Sequence, residues 1–422
     1  MPTYDEAVNK IYELPKFTSK HSFEEGRSFL DELGAPDKKF KIIHVAGTNG
    51  KGSVCAYMES ILMHAGYRTG CFISPHLTDC RERIRLNGRM CSEEAFVRAF
   101  EKTDTLSAKL FVPTFFEYLF FMAMLIFEEE APDVIILETG LGGRLDATNL
   151  VSDKLAGIIT SIGLDHTEYL GDTVDMIASE KAGIASPGRP LIYWEDTPGR
   201  DAISDTAKMR KSVEIALSKA VISDVHRDNR GIDFCLRYKY DSYICPHVST
   251  QALYQVENAA LAVCSLAKIP EFEGHITDDD ILEGLRGMVW PARMEEIEPD
   301  IYLDGAHNEA ATIAFLDSVR AHGAAHRLLI FGCMRDKDYR TEISLMVGSG
   351  LFEKAVAVNI DSPRAESCET IAEIFEEMNM PVIRAADAKE ALDIARDHVN
   401  DKDSYAYIAG SLYLAGEVKG LL

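Results

Sequence analysis

The stretch His44-Val-Ala-Gly-Thr-Asn-Gly-Lys-Gly-Ser-Val54 carries the densest potential chemistry in the chain. Gly47, Gly50 and Gly52 surround Lys51 and Ser53, with Thr48 and Asn49 between them. Glycines in such a run let consecutive backbone N–H groups turn toward one anion. A following helix N-terminus adds partial positive charge, the lysine adds a full one, and the serine hydroxyl can ligate Mg²⁺. That combination suits the phosphates of a nucleotide. The standard pattern G-x-x-x-x-G-K-[ST] is broken twice, because Val45 occupies the first glycine position and Gly52 follows the lysine. A glycine-rich turn with no ligand is the alternative, although three glycines around a lysine have few other uses between a strand and a helix.

Three more polar residues follow apolar runs: Ser74, Glu138 and His166. Ser53, Ser74 and Glu138 offer the hard oxygen ligands that Mg²⁺ prefers, whereas an imidazole favours softer metals. Each also has an ordinary structural use. Ser74 precedes Pro75 and could be a turn residue, Glu138 could pair with Arg144, and His166 could be a hydrogen-bonded structural histidine. Spacing alone leaves both uses open.

These residues need a scaffold, and the apolar pattern supplies one. Lys41 to Val45 reads as a strand and Val54 to Ala65 as a helix. Arg68 to Ile73, Val134 to Leu137 and Leu155 to Ile162 read as further strands, and Phe115 to Phe127 as a buried helix. Fully apolar strands alternating with helices predict a parallel sheet covered on both faces, with ligands at the carboxyl ends of the strands. Residues 1 to 35 read as polar and helical. Residues 193 to 250 are harder to read, with a strand near Phe234 to Tyr238. A second alternating series has strands at Ile301 to Leu303, Arg327 to Gly332, Lys354 to Asn359, Pro381 to Arg384 and Tyr405 to Ala409. Trp290-Pro291 interrupts the chain before it, which predicts a boundary near residue 297.

Composition limits the partners. The chain has 422 residues, enough for two domains, and a net charge of −24. So acidic a protein is a poor partner for nucleic acid or anionic membranes, and any anionic substrate must be met by locally concentrated positive charge. The longest apolar run, Leu119 to Phe127, is too short to span a bilayer. Met1 to Lys16 lacks a signal-peptide core. Nine cysteines without a CxxC pair predict reduced thiols in a cytoplasm rather than a disulfide framework or structural zinc. No dimer helix is evident, and a monomer is the expectation.

The motifs together resemble a known family. They are Gly47-Thr-Asn-Gly-Lys-Gly-Ser53, Ser74-Pro-His-Leu77, Glu82-Arg-Ile-Arg-Leu-Asn-Gly88, Glu138-Thr-Gly-Leu-Gly-Gly-Arg-Leu-Asp-Ala-Thr-Asn149, Gly163-Leu-Asp-His166, Glu180-Lys-Ala-Gly-Ile184, Trp290-Pro-Ala-Arg293 and Leu303-Asp-Gly-Ala-His-Asn308. In this order they resemble folylpolyglutamate synthase, often a bifunctional dihydrofolate synthase in bacteria, within the Mur ligase superfamily. The resemblance runs from about residue 40 to Gly410-Ser-Leu-Tyr413. It implies an α/β fold: a P-loop-type, mostly parallel sheet domain (1–297) followed by a smaller Rossmann-like α/β domain (298–422). It implies ATP and Mg²⁺ as cofactors, and small-molecule substrates: dihydropteroate or a reduced folate, and L-glutamate. A substrate carboxylate would take the γ-phosphoryl group to become an acyl phosphate, which the glutamate amine then displaces.

By the same resemblance, the loop Gly47, Thr48, Asn49, Gly50, Lys51, Gly52 and Ser53 holds the phosphates. Ser74 and Glu138 take one Mg²⁺ with Ser53, His166 belongs to a second, and Lys181 is carbamylated so that it too can ligate metal. Lys51, His166 and Lys181 would then be the catalytic groups. Asn258 lies near the adenine, and Arg293, Asp304 and His307 reach the nucleotide from the linker and second domain. Two positions depart from the family. Ala292 replaces the glycine of Trp-Pro-Gly-Arg, and Phe120 replaces a threonine on a helix close to the cleft, which bears on substrate preference. The competing readings are another Mur-type carboxylate–amine ligase and a nucleotide switch without ligase chemistry. The second leaves the Asp304 and His307 motif without a purpose.

Overall fold

The computed structural model describes residues 2–15, 22–239, 243–323 and 325–422. Of the expected helical stretch 1–35, residue 1 and residues 16–21 lie outside the described residues; the remainder forms helices Tyr4–Tyr12 and Phe23–Glu32. Both open on a capping box, Thr3 with Glu6 and Ser22 with Glu25.

Two compact units emerge. The first comprises Met1–Val225, Phe234–His247 and Glu257–Met288, and the second His226–Asp233, Val248–Val256 and Val289–Leu422. The chain therefore changes unit several times before its last passage at Met288/Val289. A cut near 297 would divide a strand of the second unit, Glu295–Glu298, that pairs with its neighbour Ile301–Leu303.

The first unit is built on eight strands: β1 (Lys41–Ala46), β2 (Thr69–Phe72), β3 (Ile84–Leu86), β4 (Arg89–Met90), β5 (Val134–Glu138), β6 (Ala156–Ile159), β7 (Pro190–Trp194) and β8 (Val213–Leu217). Their order is β4-β3-β2-β5-β1-β6-β7-β8. All neighbours are parallel except the β2–β3 and β3–β4 pairs, which form an antiparallel margin. β5, β6 and β7 are buried along their whole length, which is why their sequences run apolar without alternation. Helix Phe115–Glu130 has an unbroken buried run from Tyr118 to Phe127. It fills the core with packed rings: Phe29 stacks on Phe121 at 4.4 Å, and Phe72 meets Phe120 edge-on at 6.0 Å. Phe120 is thus a fully buried core residue.

In the hard-to-read region, β9 (Ile222–Asp228), β10 (Gly231–Arg237), β11 (Tyr243–Ile244) and β12 (His247–Val248) form a small sheet. Here the thiol expectation is corrected. Leu236 faces Ile244 across β10 and β11, so Cys235 and Cys245 fall opposite each other and are joined as a disulfide. Two cysteines ten residues apart gave no sign of this, because the strands that bring them together were not resolved in the sequence pattern. The other seven cysteines are free and buried.

The second unit holds β13 (Glu295–Glu298), β14 (Ile301–Leu303), β15 (His326–Phe331), β16 (Lys354–Val358), β17 (Val382–Ala385) and β18 (Ser404–Ala409), in the order β13-β14-β18-β15-β16-β17. Only the β13–β14 pair is antiparallel. Phe315, Phe331, Phe375 and Tyr407 anchor its core. Among the described residues no helix is long and apolar enough to cross a membrane.

Candidate active site

In the first unit, β1 delivers the chain into the glycine loop, and helix Lys51–His64 leaves it. Gly50 is the N-cap residue, with φ +84°, and no side chain caps the helix. A Cβ at Gly50 would lie 2.4 Å from Asn258 Oδ1. The position therefore demands glycine for both backbone and space. The same contact places Asn258 against the phosphate loop. The open helix start and the Lys51 charge together give the features an anion needs. The Lys51 ammonium donates to the Thr48 carbonyl at 3.1 Å and is half-buried, while Ser53 is buried behind it.

The loop is latched to the segment after β6. Thr48 N–H donates to Ser161 O at 2.7 Å, and Asn49 N–H to Ser161 Oγ at 3.2 Å. Thr160 Oγ1 donates to Asn49 O at 2.7 Å, and the Gly163 N–H donates to Thr48 Oγ1 at 3.1 Å. Sequence reasoning missed Thr160 and Ser161. Their signal was faint: two hydroxyl residues ending an apolar strand beside the phosphate strand.

Glu138 ends β5 directly alongside Val45 of β1. It is buried, and one carboxylate oxygen accepts from the Ser74 N–H at 2.9 Å. Arg144 pairs instead with Glu180 at 2.8 Å, so the structural use considered for Glu138 falls away. Ser74, Glu138 and the phosphate loop thus gather at the carboxyl ends of β2, β5 and β1. His166 follows β6 at the same edge, in a left-handed backbone conformation, with its ring 3.9 Å from Asp165 and 43% exposed.

Lys181 lies on helix Val174–Ala182 with only 4% of its surface exposed. Its ammonium donates to Gly47 O at 2.7 Å. Burial, reinforced by the nearby Lys51 charge, pulls its pKa down to about 7. A substantial neutral fraction is the form that can react with CO₂. The ammonium has no lone pair to give a metal and a neutral amine is a poor match for Mg²⁺, so the oxygens of a carbamate are the hard ligand that Lys181 could offer. Ser53, Ser74 and Glu138 are hard oxygen donors that fit Mg²⁺ as they stand. Among the described residues no group of three or more His, Cys, Asp or Glu is placed to hold a metal; the expected set relies instead on two serines.

In the second unit, Asp304 follows β14 and is buried. Its carboxylate accepts from Tyr254 OH at 2.6 Å, Met294 N–H at 2.9 Å and Ala306 N–H at 2.8 Å. Burial raises its pKa, against the opposing pull of Arg293 and these donors. Asp304 therefore fastens the turn that carries Arg293. The Arg293 guanidinium lies over Gly305, where an added Cβ would be 2.4 Å from Nη1, and donates to Ala292 O at 2.9 Å. Ala292 itself has φ +53°, the conformation that explains glycine in the related motif. His307 Nδ1 is bonded to Gly305 O at 2.7 Å and stays partly exposed, and Asn308 caps the helix Glu309–Ala321.

Comparison with known proteins places the sequence and fold among relatives. Residues 45–266 match the Mur ligase middle domain, and residues 292–412 match the Mur ligase glutamate ligase domain. The chain is 32% identical to a Bacillus subtilis dihydrofolate synthase/folylpolyglutamate synthase, over 99% of this chain and 98% of that one. It is also 32% identical to a Halobacterium salinarum probable bifunctional folylpolyglutamate synthase/dihydropteroate synthase, over 99% of this chain but only 51% of the relative. The chain thus spans about half the length of that relative. A solved bifunctional folylpolyglutamate synthase/dihydrofolate synthase with Mn, AMPPNP and L-glutamate bound superposes with a TM-score of 0.84 at 27% identity, covering 100% of this chain and 98% of that one. By sequence and by fold, this chain belongs to the Mur ligase family.

Proposed function

We propose that this chain is an ATP-dependent ligase that joins L-glutamate to the carboxylate of a reduced folate, and to dihydropteroate to make dihydrofolate. The observation that carries the reading is the convergence of Lys51, the open loop Gly47 to Ser53, Ser74 and Glu138 at one edge of the first unit's sheet. Its relatives are named for these two activities, and a related structure binds a nucleotide analogue, manganese and L-glutamate.

The chemistry asks for cations between anions. A carboxylate oxygen attacks the γ-phosphorus, the bond to the β-bridging oxygen breaks, and ADP leaves. The glutamate nitrogen then attacks the acyl carbon, loses a proton and expels phosphate. Lys51 and the loop N–H groups hold the phosphates and spread their charge. Mg²⁺, held by Ser53, Ser74 and Glu138, with His166 and carbamylated Lys181 at a second position, would supply further neutralisation when bound. Asn258 borders the nucleotide. Arg293, presented by Asp304, and His307 are assigned to the nucleotide from the second unit. The domain assignment 1–297 and 298–422, a monomeric state, a cytoplasmic location and the absence of nucleic-acid or membrane partners belong to the same reading.

An ADP-release assay tests it. ADP formation should depend on L-glutamate together with dihydropteroate or tetrahydrofolate. ATP hydrolysis indifferent to both would favour a nucleotide switch, and turnover only with peptidoglycan precursors would favour another Mur-type ligase.

A further inference from the structure

Two of the nine cysteines stand apart from the rest. Cys55, Cys71, Cys80, Cys91, Cys264, Cys333 and Cys368 are all buried thiols. Cys245 is exposed and Cys235 half-buried, and they are bonded to each other. Their placement explains the pairing. The Phe234 N–H donates to Pro246 O, and Leu236 faces Ile244, so residues 235 and 245 form the intervening pair without backbone hydrogen bonds. Such pairs bring side chains closest, and the Cα separation is 4.1 Å. Among the described residues β11 contributes two residues to its ladder, and Tyr243 within it is exposed. So short a strand holds weakly by backbone pairing alone.

From the exposure difference and the cross-strand register, we infer that Cys235 and Cys245 form a reversible thiol–disulfide exchange site for low-molecular-weight thiols and disulfides. Exposed Cys245 is the sulfur that meets the small molecule, and Cys235 resolves the adduct. In the oxidising direction, the Cys245 thiolate attacks a small disulfide, forms a mixed disulfide and releases one thiol. The Cys235 thiolate then attacks the Cys245 sulfur, closes the protein disulfide and releases the second thiol. Two electrons pass to the small disulfide, and two protons leave the protein thiols. Oxidation pins β11 to β10, and reduction lets it open. In a reducing cytoplasm such a bond would be a sensor rather than a permanent staple. Only this last consequence rests on the proposed location.

The test uses the full chain and glutathione with its disulfide as probe. The native protein is equilibrated at graded ratios of the two, thiols are trapped by alkylation, and intact mass and peptide maps are read. The expected result is loss of two alkylated sulfurs on oxidation, both mapping to Cys235 and Cys245, with the other seven untouched. Cys235→Ser should accumulate a glutathione adduct on Cys245, whereas Cys245→Ser should leave Cys235 nearly unmodified. Amide exchange at residues 243–245 should quicken roughly tenfold or more on reduction. Exchange at other cysteines, adducts in the reverse order, or identical exchange rates in both redox states would overturn the proposal. These readouts do not depend on ligase activity, so failure of the functional reading would be seen separately.

Discussion

The two units use the charged groups of their motifs in opposite ways. In the first unit, the helix after Gly50 starts without a side-chain cap, and the Lys51 ammonium donates to a backbone carbonyl at 3.1 Å rather than to a carboxylate. In the second unit, Asp304 spends its carboxylate on three internal donors. The first arrangement is built to receive a charge, and the second to hold a backbone turn still. Two motifs with charged residues at strand ends are therefore built differently, one around an uncapped helix start and the other around a carboxylate that holds the turn carrying Arg293.

The widest contrast between the two units should come from Lys51→Ala. Turnover should fall roughly 10²-fold or more through loss of one charge-assisted phosphate contact, with the folded structure intact. Steady-state kinetics and thermal unfolding measured together would show this; near-normal turnover would erase the contrast. Asp304→Ala should act in the reverse sense. Leaving Tyr254 OH and the Met294 and Ala306 amides without their acceptor should cost about 3 kcal/mol of stability, read by denaturant unfolding. A large loss of kcat with unchanged stability would make Asp304 a ligand-contacting group after all.

A buried cation sharpens the picture of the first unit. Lys154 is 5% exposed and donates to Ile184 O at 3.0 Å and to Asn149 Oδ1. Burial lowers its pKa from 10.5 to about 7. Between those values the unfolded chain binds the proton that the folded chain has lost, so stability should rise with pH, by at most about 1.4 kcal/mol per pH unit. Lys154→Met should flatten that slope between neutral and mildly alkaline pH in unfolding titrations. An unchanged slope would show that the ammonium keeps its proton inside. The smallest effect belongs to Ala292→Gly. Relief of a left-handed alanine should add about 1 kcal/mol, provided the turn beneath Arg293 keeps its shape; a loss of stability would place the strain elsewhere.

Much of this was legible in the sequence because it is local. The phosphate loop, β5 and β14 are short stretches whose residue types dictate their own conformation. Fully apolar strands betrayed a doubly covered sheet. The latch from Thr160 and Ser161 to Thr48 and Asn49 was not legible, because it joins segments more than a hundred residues apart. Nor was the Cys235–Cys245 bond, which depends on the register of two short strands. Asp304 is the instructive case: its motif marked it as a site residue, yet only its partners show that it anchors a turn. The glycine-to-alanine departure at position 292 became meaningful once its backbone angle was known.

The fastening between Thr48, Asn49 and the Thr160–Gly163 segment has a mechanical consequence. Hydroxyl and amide bonds splint the loop to the strand end that leads toward Asp165 and His166. These bonds end at Gly163, three residues before His166, so a shift of the loop would have to carry that segment with it or break them.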